Sequence, residues 1–501
     1  MFKKILVANR GEIAVRVMRT AHRLGIRTVA VHSDVDAEAV HVTFADESVC
    51  IGGSAPDESY LIQEKIVAAA LSTGAEAVHP GYGFLSERAE FSRACTLAGL
   101  TFVGPSPEAM ERLGAKVDAK RLAVDNGVPV CPGYFEPSAT LEDLRNAADQ
   151  IGYPVMLKAS AGGGGRGMRV VRDPAHFDQE HELAKDEALK GFGDGTMMVE
   201  KYIERPRHIE IQLLADKHGQ IATLFERECS LQRRHQKVIE EAPSPVMTSS
   251  LWEKMRGAAR TLATAAGYHG AGTVEFMVDA EAGEFYFLEV NARLQVEHPV
   301  TEAITGLDLV EHQLRIAAGE RLSIDQRLIE GDRSAICGHA IEARVTAEDP
   351  AMGYLPSTGK ILGWAMSSDP SVRSDSGYER GSEVSRFYDS LLAKVICHSQ
   401  DRASATSMLR QALCDTHILG VKTNIEFMID VLDHPEFASA DFDTSWLGRR
   451  FENWTRGGGL PRGLLEVVTT ATNSVSTGGM SGKTTGAFDL PDGFRLTQKR
   501  A

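Results

Sequence analysis

The sequence predicts a multidomain protein that combines α/β and α+β architecture. The chain has 501 residues, of which 43% are hydrophobic and 25% charged, which is ordinary globular usage. This length is enough for about two to four compact units. Residues 5–32 alternate strand and helix signals, which predicts a βαβ unit and a parallel sheet. Residues 272–298 instead predict an antiparallel hairpin, so the kind of sheet changes along the chain.

Strand, helix and strand follow one another in the opening unit. Ile5 to Ala8 predict the first strand, apolar residues at helical spacing over 13–24 predict a helix, and Thr28 to His32 predict a second strand. The turn from Ala8 to Glu12 lies where a Rossmann fold binds its dinucleotide, but it lacks the second glycine of G-x-G-x-x-G. A structural turn is therefore favoured over a dinucleotide site.

Charge, cysteines and hydropathy argue against several classes of protein. The net charge of −15 disfavours a nucleic-acid-coating protein, which needs an excess of Lys and Arg. The seven cysteines are scattered and never spaced C-x-x-C, which argues against zinc and against a disulfide framework. No apolar run approaches the ~20 residues of a bilayer span, and a strand begins close to Met1. We therefore expect no signal peptide, no membrane segment and a cytoplasmic location.

A loop rich in glycine and proline comes next, with the sequence H-P-G-Y-G-F-L-S-E from His79 to Glu87. It follows a strand-like run and is predicted to open a helix at Ser86. Glycines that supply positive φ explain it as a structural loop, and contact with a substrate is the less favoured alternative. Proline and glycine cluster again at 104–107 and 129–133, which predicts a domain boundary near residue 114.

Four consecutive glycines, Gly162 to Gly165, give the strongest phosphate-binding signal. They stand between the predicted strands Tyr153 to Leu157 and Arg169 to Arg172, and Lys158 and Arg166 flank them. Many backbone N–H groups can turn toward one anion in such a run. A hairpin over ATP phosphates fits better than a Walker A loop, because no G-K-[ST] ends the run. A flexible turn is the alternative.

A strand end beyond this loop could seat an adenine. Glu200 to Ile203 follow the strand-like run Met197 to Val199. Ile203 would offer apolar contact, and the peptide groups would read the edge of the base. His208 could contact the ribose, although a surface histidine explains it as well.

The two strands of the predicted hairpin carry a cluster of polar side chains. The strand-like segments Gly272 to Phe276 and Glu284 to His298 are predicted to pair through a turn around residues 281–283. In the second segment five polar residues alternate strictly, so an extended chain would place them on one face. These residues are Glu289, Asn291, Arg293, Gln295 and Glu297.

Their chemistry suits a metal ion beside an anion. Glu275, Glu289 and Asn291 offer hard oxygen ligands for Mg²⁺ that also touches ATP phosphates. Arg293 offers a planar fork that can hold a small oxyanion. An exposed charged strand is the alternative. A basic cluster from Cys229 to Pro243, in an otherwise acidic chain, contains no aromatic residue, so an internal anion site is favoured there over a nucleic-acid patch.

In this order, the motifs resemble those of the biotin carboxylase branch of the ATP-grasp superfamily. The resemblance covers residues 1 to about 450. It rests on A-N-R-G-E-I-A, H-P-G-Y-G-F-L-S-E, the glycine loop after Lys158, R-R-H-Q-K, E-V-N-A-R-L-Q-V-E-H-P-V-T-E and E-A-R-V-T-A-E-D-P. Several long motifs in one order are far more specific than any one of them alone.

The resemblance implies a domain organisation. A Rossmann-like, pre-ATP-grasp N-terminal domain would span residues 1–114, an ATP-grasp domain 115–330, and a biotin carboxylase C-terminal domain 333–450. A mobile lid at about 131–203 would carry the glycine loop, and residues 457–501 would form a flexible tail.

The resemblance also implies the residues of the site. The ATP-binding residues would be Lys116, Lys158, Gly164, Gly165, Glu200, Lys201, Tyr202, Ile203, His208, Gln232 and His235. The bicarbonate site would be Lys237, Arg293, Gln295 and the Val296 N–H. Two Mg²⁺ or Mn²⁺ ions would be held by Glu275, Glu289 and Asn291. The catalytic residues would be Glu297, Arg293, Lys237 and Arg344, and Arg344 would also bind biotin.

The implied reaction is that of a ligase, the ATP-dependent carboxylation of biotin. Glu297 would deprotonate bicarbonate, which attacks the γ-phosphoryl group and gives carboxyphosphate. Phosphate released from carboxyphosphate would take the ureido proton of biotin, and Arg344 would stabilise the enolate that attacks CO₂. Ala115 stands where the family often has Asp, which could loosen Lys116, and Ala161 replaces a glycine; neither change removes a ligand.

The partners follow from a missing motif. No Met-Lys-Met biotinyl motif occurs, so biotin is expected on a separate biotin carboxyl carrier protein. A carboxyltransferase subunit would choose the acyl acceptor, and the chain would form a homodimer. Acetyl-CoA carboxylase is the first candidate for the whole enzyme and pyruvate carboxylase the second. Another ATP-grasp ligase and an inactive assembly subunit are the alternatives, although R-L-Q-V-E-H and Arg344 favour biotin and every expected ligand is present.

Overall fold

Strands and helices alternate at the start of the chain. A computed structural model of the protein describes residues 1–114, 116–159, 167–192, 194–233 and 236–456. The first elements are β1 (Lys4–Val7), α1 (Gly11–Arg23), β2 (Arg27–Ser33), α2 (Val40–Phe44), β3 (Glu47–Gly52), α3 (Gln63–Thr73), β4 (Ala77–His79), α4 (Ala89–Leu97), β5 (Thr101–Phe102) and α5 (Pro107–Gly114). The strands pair in parallel in the order β3-β2-β1-β4-β5, which confirms the predicted βαβ start.

Apolar side chains hold this sheet between its helices. Ile5, Leu6 and Val7 of β1 are fully buried, as expected for a parallel strand that is covered on both faces. Val17 and Ala21 on the inner face of α1 are also fully buried. The helical spacing of these residues therefore reflects packing against the sheet.

The predicted helix start at Ser86 is wrong, because α4 begins at Ala89. The Ser86 N–H closes a turn onto the Gly83 carbonyl at 3.0 Å, and Phe84 between them has a φ of +43°. Arg88 is still extended when the helix begins. The glycine- and proline-rich loop thus continues three residues further than its sequence pattern indicates.

A small antiparallel sheet with its own apolar cluster follows. Its region contains α6 (Lys116–Asp125), β6 (Gly133–Tyr134), α7 (Leu141–Ile151), β7 (Val155–Ala159), β8 (Met168–Val171), α8 (Phe177–Phe192) and β9 (Met197–Lys201). The strand order is β6-β9-β7-β8, and the cluster includes Leu144, Leu157 and Val199. Strands β7 and β8 form the predicted hairpin on either side of the glycine run, and Gly162 to Gly165 themselves lie outside the described residues.

The last region of the described chain contains an eight-stranded antiparallel sheet, three two-stranded sheets and the helices around them. Its elements begin with β10 (Pro206–Ala215), β11 (Ile221–Arg233), β12 (Gln236–Ala242), α9 (Ser249–Ala266), β13 (Gly270–Asp279), β14 (Glu284–Asn291), α10 (His298–Thr305), α11 (Leu309–Ala317), α12 (Gln326–Glu330) and β15 (His339–Thr346). They continue with β16 (Glu348–Asp349), β17 (Leu355–Pro356), β18 (Gly359–Lys360), β19 (Gly363–Ala365), β20 (Val372–Ser376), β21 (Glu383–Val384), β22 (Leu391–Ser399), α13 (Arg402–Cys414), β23 (His417–Leu419), α14 (Ile425–Leu432), α15 (Pro435–Ala438) and α16 (Trp446–Arg450). The strand order is β14-β13-β10-β11-β12-β15-β22-β20.

The predicted hairpin is confirmed, but its second strand is shorter than the alternating pattern suggests. Strand β14 ends at Asn291, so the extended chain predicted from there to Glu297 is wrong. The Ala292 N–H donates to Glu87 Oε1 at 3.0 Å, and the chain turns away from the edge of the sheet. Glu297 then becomes the N-cap residue of α10. A turn replaces the strand because a side chain from another segment captures the backbone donor.

Met1–Arg456 forms one compact unit. One large apolar cluster joins the N-terminal sheet to β10 and α9, with Leu6, Leu214 and Leu262 fully buried. A second cluster lies around β22 and α13 and includes Val395 and Leu409. Within the described ranges, none of the helices combines the length and the apolar character that crossing a bilayer requires.

Candidate functional site

One row of carboxylates crosses the edge of the large sheet. Glu210 on β10 lies opposite Glu275 on β13, and Glu275 lies opposite Glu289 on β14. Residues paired in this way on neighbouring strands share a face, and like charges in direct opposition repel. Nearby cations are therefore needed to offset the repulsion between these carboxylates.

Lys237 on β12 supplies the central cation. Its Nζ lies 2.6 Å from Glu210 Oε2, 3.1 Å from Glu275 Oε1 and 2.5 Å from Glu297 Oε1. Burial alone would lower the pKa of Lys237, but the surrounding acidic groups raise that pKa well above its usual value. The ammonium is therefore charged and held where the three carboxylates meet.

Glu297, the predicted base, is 1% exposed at the start of α10. Its second carboxylate oxygen accepts a hydrogen bond from Arg344 Nη2 at 2.9 Å. Burial would raise the pKa of Glu297, yet Lys237 and Arg344 hold it well below the usual range. The carboxylate is thus ionised and sits between two cations that come from different strands.

Arg344 on β15 links this carboxylate to a second one. Its Nε donates to Glu240 Oε1 at 2.5 Å, and 18% of its side chain is exposed. Burial raises the pKa of Glu240 to about 7, although Arg344 opposes the rise. The guanidinium is therefore held by two carboxylates and remains partly exposed to solvent. An incoming ligand can reach it.

Arg293 and Gln295 reach the same cluster from the turn after β14. Arg293 Nη2 donates to Asn291 Oδ1 at 2.8 Å, and its Nε donates to Glu87 Oε2 at 3.0 Å. Gln295 Nε2 donates to Glu275 Oε1 at 2.9 Å. The predicted convergence of these polar side chains therefore occurs, although a turn rather than a strand produces it.

Sequence reasoning missed the buried cations that support the cluster. Arg227 is fully buried and donates to Glu210 Oε1 at 2.6 Å and to Gln295 Oε1 at 2.7 Å. Lys394 is fully buried and donates from Nζ to the Val296 carbonyl at 2.8 Å. A single charge inside an apolar strand, as in L-L-A-K-V-I-C, is the sequence signal that could have revealed Lys394.

The predicted metal ligands lie together at the edge of the sheet. Glu275 and Glu289 are opposite in register, and Asn291 Nδ2 donates to Glu275 Oε1 at 2.8 Å. Two carboxylates beside an amide oxygen are hard donors, so the residues fit an ion such as Mg²⁺. His208, Glu210 and Glu275 form a second group, whose ligand atoms lie within 4.8 Å of one another. Glu275 belongs to both groups.

Two lysines of the predicted nucleotide side share one carboxylate. Lys158 Nζ contacts Glu200 Oε2, and Lys120 Nζ lies 2.8 Å from Glu200 Oε1. Their side chains are 29% and 31% exposed, respectively. These ammonium groups are accessible, so an incoming phosphate could replace Glu200 as their partner.

The strand end predicted to seat adenine is held by two prolines. The main-chain N–H of Lys201 donates to the Pro132 carbonyl at 2.7 Å, and that of Tyr202 donates to the Pro154 carbonyl at 3.1 Å. Ile203 is 7% exposed, so its apolar side chain is buried rather than on the surface.

Of the remaining predicted ATP-binding residues, His208 and Gln232 have described side chains and the others do not. His208 is not on the surface, because its Nε2 lies 2.9 Å from Glu275 Oε2 and its side chain is 12% exposed. Gln232 lies opposite Lys237 in register. Gly164, Gly165, His235 and the side chain of Lys116 lie outside the described residues.

Family models match three consecutive stretches of the chain. The N-terminal domain of biotin carboxylase matches residues 1–110, the ATP binding domain of the carbamoyl-phosphate synthase L chain matches 115–325, and the C-terminal domain of biotin carboxylase matches 342–449. Together they cover most of the chain and include every residue of the charged cluster described above.

Individual relatives agree with these matches. A biotin carboxylase of Nostoc sp. is 48% identical over 446 residues, which is 89% of this chain and 98% of the relative. The mitochondrial methylcrotonoyl-CoA carboxylase subunit alpha of Oryza sativa subsp. japonica is 49% identical over 90% of this chain. The chain spans 60% of the length of that rice protein.

A solved structure shares the fold. The biotin carboxylase domain dimer of Hydrogenobacter thermophilus 2-oxoglutarate carboxylase, in complex with MgADP, ADP and bicarbonate, superposes with a TM-score of 0.82. It is 44% identical in sequence and matches 91% of this chain and 99% of its own.

Proposed function

The chain belongs to the biotin carboxylase family, and from this premise we propose that it is a ligase that carboxylates biotin with bicarbonate and MgATP. The observation that carries the proposal is the contact of one carboxylate with two cations. Glu297 binds Lys237 through one oxygen and Arg344 through the other. A base placed between a bicarbonate site and a biotin site can serve a reaction that needs both substrates in one pocket.

The first step activates bicarbonate. Bicarbonate would lie against Lys237, Arg293 and Gln295. Lys237 contacts Glu297, Lys237 and Gln295 both contact Glu275, and Arg293 contacts the neighbouring Asn291. Glu297 takes the hydroxyl proton, and the oxygen thus freed forms a bond to the γ-phosphorus of ATP while the bond to ADP breaks. The products of this step are carboxyphosphate and ADP. Preorganised cations in a site of low dielectric stabilise the transferred negative charge.

The second step carboxylates biotin. Carboxyphosphate divides into CO₂ and phosphate, and the phosphate takes the ureido N–H proton of biotin. Arg344 donates to the ureido oxygen, which carries the negative charge of the enolate, and the nitrogen then forms its bond to CO₂. The open side of the Arg344 guanidinium gives the biotin ring a route to this donor.

The nucleotide and its metal ion would occupy the other side of the cluster. Lys158 would bind phosphate oxygens in place of Glu200. Glu275, Glu289 and Asn291 would hold Mg²⁺ or Mn²⁺, which would supply charge neutralisation for the phosphates when bound.

Phosphate release from MgATP and bicarbonate, with and without free biotin, tests the proposal. We expect biotin to stimulate release in the wild type and Glu297→Gln to abolish that stimulation, because the amide cannot take the proton. Glu241→Gln is the matched control. Glu241 is a buried glutamate on the same strand as Lys237, but it pairs with Arg402 and His339 and not with Lys237 or Arg344. Phosphate release that does not change with biotin but requires an amine or a ribonucleotide would assign the chain to another ATP-grasp reaction.

The acceptor and the partners extend the proposal. Biotin would arrive on a biotin carboxyl carrier protein, and a carboxyltransferase subunit would pass the carboxyl group to an acyl-CoA, with acetyl-CoA as the first candidate. Radiolabelled bicarbonate, added to the chain with the subunits that copurify with it, measures transfer to acetyl-CoA, methylcrotonoyl-CoA and pyruvate. Preferential labelling of methylcrotonoyl-CoA or pyruvate would contradict acetyl-CoA as acceptor.

The domain division and the assembly are proposals of the same kind. The family matches support boundaries near residues 114 and 332. The separate apolar cluster of the small sheet supports the proposal of a lid at about 131–203. The dimer named for the Hydrogenobacter structure supports a homodimer. Light scattering on the purified chain tests the second point, and a single protomer mass at micromolar concentration would contradict it.

A further inference from the structure

Lys394 is a buried cation that the two proposed chemical steps do not use. It lies in the middle of β22, and its side chain is fully buried. Its Nζ donates to the Val296 carbonyl at 2.8 Å and lies 3.3 Å from Glu12 Oε2. Asp375 Oδ2 is the next anionic atom, at 4.0 Å. The ammonium therefore has one carbonyl and one near carboxylate as partners.

The pairing of the strands places Lys394 directly beside the proposed biotin arginine. Arg344 on β15 lies opposite Lys394 on β22, and Lys394 lies opposite Asp375 on β20. Residues opposed in this way share a face of the sheet. Two cations and one carboxylate therefore stand in a row on this face, from Arg344 through Lys394 to Asp375.

We propose that Lys394 is a positioning residue for biotin carboxylation, which fixes the peptide that joins Val296 to Glu297. The inference rests on the proposed function. The Val296 carbonyl and the Glu297 nitrogen belong to the same planar peptide unit, so a hydrogen bond to that carbonyl fixes the plane from which the Glu297 side chain departs. The Glu297 carboxylate is thereby held between Lys237 and Arg344.

The ammonium itself is fixed from a third segment of the chain. Glu12, which pairs with Lys394, belongs to α1, and its other oxygen accepts a hydrogen bond from the Tyr82 hydroxyl. Tyr82 lies in the glycine-rich loop after β4. Lys394 thus joins the N-terminal helix, the proposed base and the strand next to Arg344 at one point.

Removal of the charge also affects stability, because Lys394→Met leaves the buried Glu12 and Asp375 carboxylates without this cation. A methionine at position 394 would keep the length and the apolar stem of the side chain. It would lose both the ion pair with Glu12 and the bond to the Val296 carbonyl, so the effect on the site has to be separated from the loss of stability.

Steady-state kinetics of Lys394→Met tests the inference. We expect the KM for bicarbonate to rise about tenfold and kcat to fall about tenfold, because small displacements of a reacting group cost that much or more. The KM for ATP should stay unchanged, since Lys394 contacts no residue of the nucleotide side. Lys394→Arg, which keeps the charge and a donor, should recover part of the bicarbonate effect.

Lys217→Met is the matched control. Lys217 is exposed, but its Nζ likewise donates to a main-chain carbonyl, that of Ala317 at 3.1 Å, away from the charged cluster. An equal change in bicarbonate KM in both variants would overturn the inference, because it would reflect a general loss of stability. A wild type without biotin-stimulated phosphate release would refute the proposed function instead.

Glu12→Gln decides the question if Lys394→Met does not fold. The amide keeps the volume of the side chain but removes the charge that fixes the ammonium. We expect a smaller rise in bicarbonate KM, of about threefold, with ATP KM unchanged. An unaltered bicarbonate KM in folded Glu12→Gln would overturn the inference.

Discussion

The charged side chains of the large sheet and of the small sheet differ in their exposure and in their partners. Around the large sheet the side chains of Lys237, Glu297 and Arg344 are largely buried, at 11%, 2% and 18% exposed, and each has fixed partners from other segments. On the small sheet Lys158 is 29% exposed and has the Glu200 carboxylate as its near partner. The first arrangement is built before any substrate arrives, whereas the second can exchange its partner.

The difference matches the chemistry proposed for the two regions. Proton transfer and enolate stabilisation depend on groups already oriented in a site of low dielectric. A nucleotide phosphate instead brings its own strong charge and needs cations that can reach it. The two sheets also differ in apolar support. Among the described residues, the small sheet packs on its own small cluster around Leu157, whereas β10 and β13 of the large sheet share the large cluster of the N-terminal sheet.

The largest effect should come from Arg344→Met, which breaks the fixed arrangement. We expect biotin-stimulated phosphate release to fall about hundredfold, because loss of one preorganised donor costs on this scale. Release without biotin should fall much less, because Lys237 still holds the Glu297 carboxylate when Arg344 is removed. Initial rates with and without biotin measure both quantities, and equal losses in the two would remove the distinction between the steps.

Lys158→Met should break the exchangeable arrangement. We expect the KM for ATP to rise about thirtyfold, because a charge-assisted hydrogen bond contributes about 2 kcal/mol. The KM for bicarbonate should not change. Lys120→Met is the matched control, because Lys120 binds the same Glu200 carboxylate. An equal rise in ATP KM for both variants would contradict a specific role of Lys158, because both ammonium groups can reach an incoming phosphate.

Leu157→Ala should sharpen the contrast in apolar support. Leu157 in the small cluster and Leu214 in the large one are both fully buried, and such truncations cost about 2–5 kcal/mol. We expect Leu157→Ala to speed hydrogen exchange in β7, β8 and β9 alone and Leu214→Ala to lower Tm for the whole unit. Mass spectrometry and calorimetry measure the two effects. Faster exchange across β10 to β13 in Leu157→Ala would mean that the small sheet does not open separately.

The smallest expected effect is the change with pH in the contribution of Glu240 to the stability of the fold. Burial raises the pKa of Glu240 to about 7, so between its unfolded value and about 7 the folded state holds the proton more tightly than the unfolded state does. Its contribution to stability is thus full at low pH and is lost as the pH rises to about 7. The Tm difference between the wild type and Glu240→Gln should fall by a few degrees from about pH 5 to about pH 8.

Glu200 on the small sheet gives the opposite sign and serves as the control. Lys158 and Lys120 lower its pKa although burial opposes them, so its contribution is present above the usual carboxyl pKa and is lost as the pH falls below it. Thermal melts of Glu200→Gln and Glu240→Gln across the same pH range test both signs. The same sign in both variants would contradict the contrast between the two regions.

The sequence by itself determined the local elements and the chemistry available. Apolar spacing predicted the parallel start, and the hairpin of β13 and β14 followed from its turn and its strand signals. The long motifs identified the family, because residue types at fixed spacing survive in a linear pattern. Glu275, Glu289 and Asn291 were found as a set because they lie on two adjacent strands.

Only the tertiary structure decided how these groups meet. Glu87 captures the Ala292 N–H, which ends β14 and replaces the predicted extended chain by a turn. The ion pairs of Glu297 join residues 237, 297 and 344, which lie on β12, at the start of α10 and on β15. The lone charge of Lys394 in an apolar strand is a sequence signal for a buried cation, but only the fold shows that it binds the Val296 carbonyl. Contacts between distant segments depend on the order and register of eight strands, and a local pattern does not encode that arrangement.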